Sequence, residues 1–184
     1  MSYFELIDDV AIPGRWHVGE ITDAAGAVVG FRQSVRVDPS DSLTGSVYHG
    51  MRPLDFFLTS FGVPIVTKEL GGAIKRIASE EVQLLALKLS NGIRDYVVLN
   101  ATRRVECLDE TRSTFLKWTE ADERPDLMGG YRQVTKLRIK SALVPAHAQM
   151  FRIKGWEIAL IVSETVKQEM QRAGCFGARF EYVG

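Results

Sequence analysis

The sequence has little cysteine, no surplus of either charge and no long apolar run. Its two cysteines, Cys107 and Cys175, are too few and too isolated to form a disulfide framework. They read as reduced, semi-buried thiols, and whether they ever pair stays open at this level. Lysine plus arginine number 23, as do aspartate plus glutamate, so the formal net charge is zero. A general polyanion binder carries a basic excess, which disfavours nucleic acid as a partner. The longest apolar run, IALIV at 158–162, is strand-sized. A bilayer-spanning helix needs about 20 apolar residues, so no membrane partner is expected. The first residues carry Glu5, Asp8 and Asp9 and no basic flank, unlike a secretory leader. The expected location is the cytoplasm.

Catalytic constellations are missing as well. His17, His49 and His147 stand far apart, with no Cys, His or carboxylate at metal-ligand spacing. Gly71-Gly72 lie inside an expected helix, and Gly174 and Gly177 follow one. A phosphate loop needs its glycines between a strand and the start of the next helix. The adjacent acids Asp8-Asp9, Glu80-Glu81 and Asp109-Glu110 would point to opposite faces of a strand. No catalytic residue, metal or cofactor is therefore assigned, and the chain is not expected to be an enzyme.

What is present is a globular pattern. At 184 residues the chain is expected to be one domain, 1–184, able to bury a sizeable core. Alternating apolar and polar residues mark many short strands. Asn91-Gly92, between two β-rich runs, marks a hairpin. Asp23–Gly26 reads as the turn of another, with Val35 and Val37 continuing its strand. DPSDSLTGS at 38–46 reads as a polar loop and TEADERPDLMGG at 119–130 as an acidic one. The fold class is α+β, a mostly antiparallel sheet with two main amphipathic helices packed on it.

Those two helices sit in a phrase used twice. VPIVTKELGGAI at 63–74 and EIALIVSETVKQEM at 157–170 each give an apolar strand, a hydroxyl residue and a helical apolar stripe. Aligning Thr67 with Ser163 pairs Val66 with Val162, Leu70 with Val166, Ile74 with Met170 and Ile77 with Ala173. The following strands fall in phase, Val82 with Ala178. Thr67 and Ser163 are expected N-caps, accepting from orphan amides of the first turn. Gly174 is placed as the left-handed residue after the second helix. Two readings fit: a recurrent way of capping a helix between strands, or a pseudo-duplicated strand-helix-strand unit.

One stretch has a charge bias. From Leu127 to Trp156 there is no acid, while Arg132, Lys136, Arg138, Lys140, Arg152 and Lys154 all fall there. The preceding stretch, 106–126, is acidic. A solvated sheet face beside an acidic loop explains this, and so does a basic surface that meets an acidic partner.

Four stretches together resemble a bacterial family. They are PGRWHVGEI at 13–21, LDFFLTSFGVPIVT at 54–67, YVVLNATRRVECLDETRSTF at 96–115 and FRIKGWEIALIVSE at 151–164. The family resembled is that of immunity proteins of polymorphic toxin systems, first catalogued as a domain of unknown function. The resemblance implies a binding protein that neutralises a cognate toxin protein by direct contact, with no catalytic residue to carry over. Trp16, Asp55, Arg152, Lys154, Trp156 and Glu157 are the matching candidates for a shared surface or structural site, and Lys136, Arg138 and Lys140 join them through the basic stretch. Trp156 is the first candidate anchor and Arg152 the second. A self-associating module, with homodimers formed through a strand edge or helix face, is the alternative. An enzyme with an unrecognised site is a third reading.

Overall fold

The computed structural model describes residues 1–31, 33–38, 42–90, 92 and 94–184. It contains thirteen strands and two α-helices among them. Strands β1 (Tyr3–Asp8), β8 (Arg104–Val105), β11 (Met150–Ile153), β12 (Trp156–Ser163) and β13 (Ala178–Tyr182) form one sheet in the order β13-β1-β12-β11-β8. Strands β2 (His17–Thr22), β3 (Leu43–His49), β4 (Phe56–Leu58), β5 (Pro64–Thr67), β6 (Val82–Leu89) and β7 (Tyr96–Ala101) form a second, in the order β2-β3-β6-β7-β5-β4. Strands β9 (Thr114–Lys117) and β10 (Tyr131–Lys136) make a separate two-stranded arm. Pairing is antiparallel except between β3 and β6 and between β8 and β11. The α+β reading holds.

The repeated phrase is a repeated architecture. Helix α1 (Lys68–Ile77) joins β5 to β6, and helix α2 (Glu164–Arg172) joins β12 to β13. In each case the two joined strands are parallel, with one antiparallel strand between them: β7 in the first unit and β1 in the second. Each unit is also led by a short antiparallel strand, β4 beside β5 and β11 beside β12. The order β6-β7-β5-β4 thus matches β13-β1-β12-β11. The caps match too. Thr67 Oγ1 accepts from Leu70 N–H at 3.4 Å and Ser163 Oγ from Val166 N–H at 3.2 Å. Gly174 has φ +67°, and Cys175 N–H returns to Met170 O to close α2.

The units clasp one another reciprocally. At the junction between α1 and β6, Glu81 Oε2 accepts the N–H groups of Gln149 and Met150, which begin β11, at 2.7 and 2.9 Å. At the junction between α2 and β13, Phe176 O accepts the N–H groups of Asp55 and Phe56, which begin β4, at 2.8 and 3.2 Å. Each unit thereby satisfies the orphan amides of the other's leading strand. Glu81 is buried, and its other oxygen lies 2.7 Å from Arg103 Nε. Gly177 follows the second clasp at φ +110°, and a Cβ there would lie 2.2 Å from Phe56 O. Only glycine fits that approach.

Three apolar clusters follow from this layout. The central one takes Leu70 and Ile74 of α1, Val166 and Met170 of α2, and residues from both large sheets, including Val66, Leu99, Leu160 and Val162. The second covers the far face of the six-stranded sheet and contains Trp16, Phe57, Tyr96 and Val98. The third covers the far face of the five-stranded sheet with Phe151, Ile153 and Ile139. The strand read from IALIV is accordingly buried from Ala159 to Ser163.

Several local expectations change. Leu43–Ser46, read as polar loop, begin β3, and Leu43 is fully buried. Val35 and Val37 form no strand. Instead, Asn100 Nδ2 donates to Val35 O, and Gln83 takes both the N–H and the C=O of Val37. Side-chain amides there replace a ladder. Asn91 of the expected hairpin turn lies outside the described residues, while β6 and β7 pair from Val82 with Ala101 to Leu87 with Tyr96. Ala173 is exposed, because α2 has already ended. No helix among the described residues is long and apolar enough to cross a membrane.

The two helix glycines differ in purpose. A Cβ at Gly71 would sit 2.8 Å from Val97 Cγ2 and 3.2 Å from Val66 Cγ2, whereas one at Gly72 meets nothing within 4 Å. Alanine improves helix propensity by about 1 kcal/mol at either position. At Gly71 that gain is outweighed by overpacking against stiff valines, which costs about 1–3 kcal/mol. Gly72→Ala is therefore expected to stabilise the protein by up to about 1 kcal/mol, and Gly71→Ala to destabilise it. Denaturant midpoints of the two variants check the opposite signs.

Candidate partner interface

The β11–β12 hairpin turns at Lys154-Gly155, with Gly155 at φ +83°. Its register slips after Arg152, so Ile153 faces Trp156 while Arg152 faces Leu160. The extra residues of β12 form a bulge, which takes carbonyl groups out of the ladder. Arg152 Nη1 lies within the bulge and donates to Glu157 O at 2.6 Å and Ile158 O at 3.2 Å. Glu157 Oε1 accepts Gly155 N–H at 3.0 Å. The bulge leaves Ile158 exposed and Trp156 half-buried.

The arm stands opposite this turn. Between its strands, Trp118 and residues 129–130 extend the pairing through Trp118 N–H to Gly130 O and Gly129 N–H to Trp118 O. Thr119 and Asp122 then form a capping box on a short 3-10 turn at Glu120–Asp122. Arg132 stacks over Trp118 at 5.1 Å and pairs with Asp122. At the base, Tyr131 meets Phe115 edge-on at 5.3 Å and donates its hydroxyl to Glu110. Lys117 lies over both rings and pairs with Glu110 at 2.7 Å. Its hydrogen bond is the main cause holding the Glu110 carboxyl below the usual range, and Tyr131 adds to it.

Between arm and turn lies an open bowl of about 530 Å³. Trp118, Leu127, Met128, Tyr131, Trp156 and Ile158 supply its apolar wall. Arg104, Asp126 and Glu157 stand at its charged edge, with Arg104 3.7 Å from Glu157 and Asp126 bound by Arg124. Met128 is 56% exposed and Ile158 50%. Large apolar side chains gathered and exposed within a polar rim have the anatomy of a protein-docking surface.

The site residues expected from sequence divide by environment. Trp156 and Glu157 line the bowl, and Lys154 stands at its turn, paired with Glu106 at 2.8 Å. Trp16 and Arg152 are fully buried, so a partner touching the folded surface reaches neither. Trp16 packs against Tyr96, and Arg152 holds the bulge. Asp55 lies elsewhere, in a cleft of about 670 Å³ between α1 and α2. Its carboxylate binds Arg94 at 2.7 Å and Phe176 N–H at 2.9 Å, which makes it part of the clasp.

The basic stretch does not form a uniform positive field. Arg132 and Lys154 are paired, and Arg152 is inside. Arg138 donates to Leu137 O and Tyr182 O, and exposed Lys140 stands beside Asp109 and Glu110. Lys136 is exposed, without an ion pair among the described residues. The acidic segment thus pairs with two of the six basic side chains, Arg132 and Lys154, and stands beside Lys140. Sequence reading missed Trp118, Leu127, Met128 and Ile158. The available signal was the Leu127-Met128 pair, apolar in an otherwise acidic loop.

Chemistry is sparse around these surfaces. Among the described residues no three His, Cys, Asp or Glu side chains converge as a metal group. Cys107 and Cys175 are both free thiols, and burial pushes each up to about 12, far from thiolate at neutral pH.

A family model described as an immunity protein family, Imm11, matches residues 30–184. No curated protein matches the chain.

Two outcomes follow from the geometry around Trp156. Arg152→Met removes the donor to two carbonyls in the bulge, so a loss of about 2–3 kcal/mol is expected in denaturant unfolding. The second concerns Glu5, which shares a cleft with Trp156, Lys136, Arg138 and Glu181. Burial first, then Glu181 directly opposite on β13, raises its carboxyl from 4.5 to about 7. As pH rises from about 4.5 to 7, the unfolded chain releases this proton before the folded one, so stability falls across that window. Glu5→Gln is expected to be more stable than the parent at pH 8, by up to about 3 kcal/mol, with the advantage fading towards pH 4. Thermal melts at both pH values check the sign.

Proposed function

The chain belongs to the immunity protein family Imm11, and we propose that it neutralises a cognate bacterial toxin by covering it through direct contact, without chemistry of its own. The observation that carries this reading is the open apolar bowl between the arm and the β11–β12 turn, with Met128 and Ile158 exposed and Trp118 and Trp156 half-buried. Immunity by contact needs a surface of roughly 800 Å² per partner with a few aromatic or arginine anchors near its centre. Trp118 and Trp156 are the anchors, and Met128 and Ile158 supply the surrounding apolar contact. The paired charges at the edge, Arg104 with Glu157 and Arg124 with Asp126, select a partner of matching charge order rather than a single sign. The toxin meets the protein in the cytoplasm of the cell that makes both.

The test is co-expression with the toxin domain encoded beside it. Growth rescue and co-elution of the two proteins are the expected results. Met128→Asp and Ile158→Asp alter exposed side chains, so the fold should survive while affinity falls about 30-fold or more, the loss typical of an interface centre. Failure of the parent to bind or rescue would sink the immunity reading for that toxin. Binding unchanged in both variants would move the contact away from the bowl.

A further inference from the structure

Strand β13 is an outer strand of the five-stranded sheet, and its ladder to β1 runs through five consecutive pairs without a shift. The other sheet edges are poorer templates. Strand β2 is twice shifted against β3, the arm strands β9 and β10 are twice shifted against each other, β4 has three residues and β8 has two.

The outward backbone groups of β13 can be identified. Asp9 N–H bonds Gly177 O and Val183 N–H bonds Tyr3 O, which fixes the phase of the ladder. Residues 177, 179, 181 and 183 therefore face β1, and Ala178, Phe180 and Tyr182 direct their N–H and C=O groups away from it. Cys175 takes the Ala178 N–H, and Arg138 Nη1 reaches Tyr182 O at 3.3 Å. That leaves Phe180 N–H, Phe180 C=O, Tyr182 N–H and Ala178 C=O facing outward. The open stretch is bounded at one end by Gly177, which turns the chain towards Phe56. At the other end Ile139 N–H occupies Val183 O.

From this arrangement we infer that the partner of the β13 edge is the β13 edge of a second copy, paired antiparallel about a two-fold axis at Phe180. That axis sets Phe180 against Phe180, with N–H to C=O bonds in both directions, and Tyr182 N–H against Ala178 C=O on either side. It also places Arg179 of each copy across from Glu181 of the other, on the same face. The order Arg-Phe-Glu is self-complementary under this operation, as an isologous contact requires. Arg179 and Glu181 now pair within the strand at 2.7 Å, and both are about half exposed, so each can exchange partner without unpacking a core. Tyr182, 54% exposed, gains cover from the second strand. Two five-stranded sheets become one continuous sheet, and edge-to-edge growth stops because the edge is used up. This contact lies on a different element from the arm and does not depend on the toxin reading.

Sedimentation across a dilution series tests it. The expected mass rises with concentration from 20.6 kDa to twice that value. Arg179→Glu alone and Glu181→Arg alone each set like charges across the axis and should weaken the dimer about 10-fold or more. The double variant Arg179→Glu with Glu181→Arg restores opposite charges and should restore the dimer. Circular dichroism of each variant reads the fold. A parent that stays at 20.6 kDa throughout overturns the inference. So do single variants that dimerise like the parent, and so does a folded double variant no better than the singles.

Discussion

The reciprocal clasp is the constraint on which the rest of the structure depends. A strand that begins against another unit leaves N–H groups with no ladder partner, and burial makes that costly. Here each helix-to-strand junction supplies an acceptor to the leading strand of the opposite unit. One acceptor is the Glu81 carboxylate and the other is the Phe176 carbonyl. The same bonding requirement is thus met by a side chain in one copy and by main chain in the other. Such an exchange keeps the geometry while erasing sequence likeness. The central cluster follows from the clasp, because it sets both helices over one shared interior.

Much of this was legible in the sequence because local rules and global packing agree in the two repeated units. Thr67 and Ser163 are caps in both readings, and the in-phase pairs Val66 with Val162, Leu70 with Val166 and Ile74 with Met170 are core, while Ile77 and Ala178 are half-buried and Ala173 is exposed. The topology that makes the units equivalent was not legible. The strand inserted between the joined strands comes from β7 in one unit and from β1 in the other, at unrelated places in the chain. The start of β3 was missed because Leu43 is a lone buried side chain among small polar residues, and its strand character comes from pairing with β2 and β6.

The candidate surface was half legible. Trp156 and Glu157 were found where the bowl lies, but Arg152, two residues before the turn, belongs to the interior. Strand alternation would place Arg152 and Lys154 on one face. Alternation holds along β11, with Phe151 and Ile153 in the third cluster, but the β12 bulge brings carbonyls to Arg152, and a guanidinium can satisfy several of them where a shorter cation could not. The basic run misled for a related reason. Sequence shows the sign of charges but not their pairing, and Asp122 and Glu106 of the acidic segment come back onto Arg132 and Lys154. The bowl beside them is lined by apolar and half-buried aromatic side chains, with the pairs Arg104–Glu157 and Arg124–Asp126 at its edge.

Strand β1 has a further consequence, for the order in which the protein is made. The six-stranded sheet draws all its strands from residues 17–101, so its pairing can be completed before β11, β12 and β13 are made. Strand β1 precedes all of these in the chain, yet its strand partners among the described residues, β12 and β13, follow all of them. While the strands between them are made, the nascent chain carries an apolar strand whose partners have not yet emerged. The acids of β1, Glu5 and Asp8, then have a use before the ladder forms. They keep that waiting segment soluble until its partners arrive.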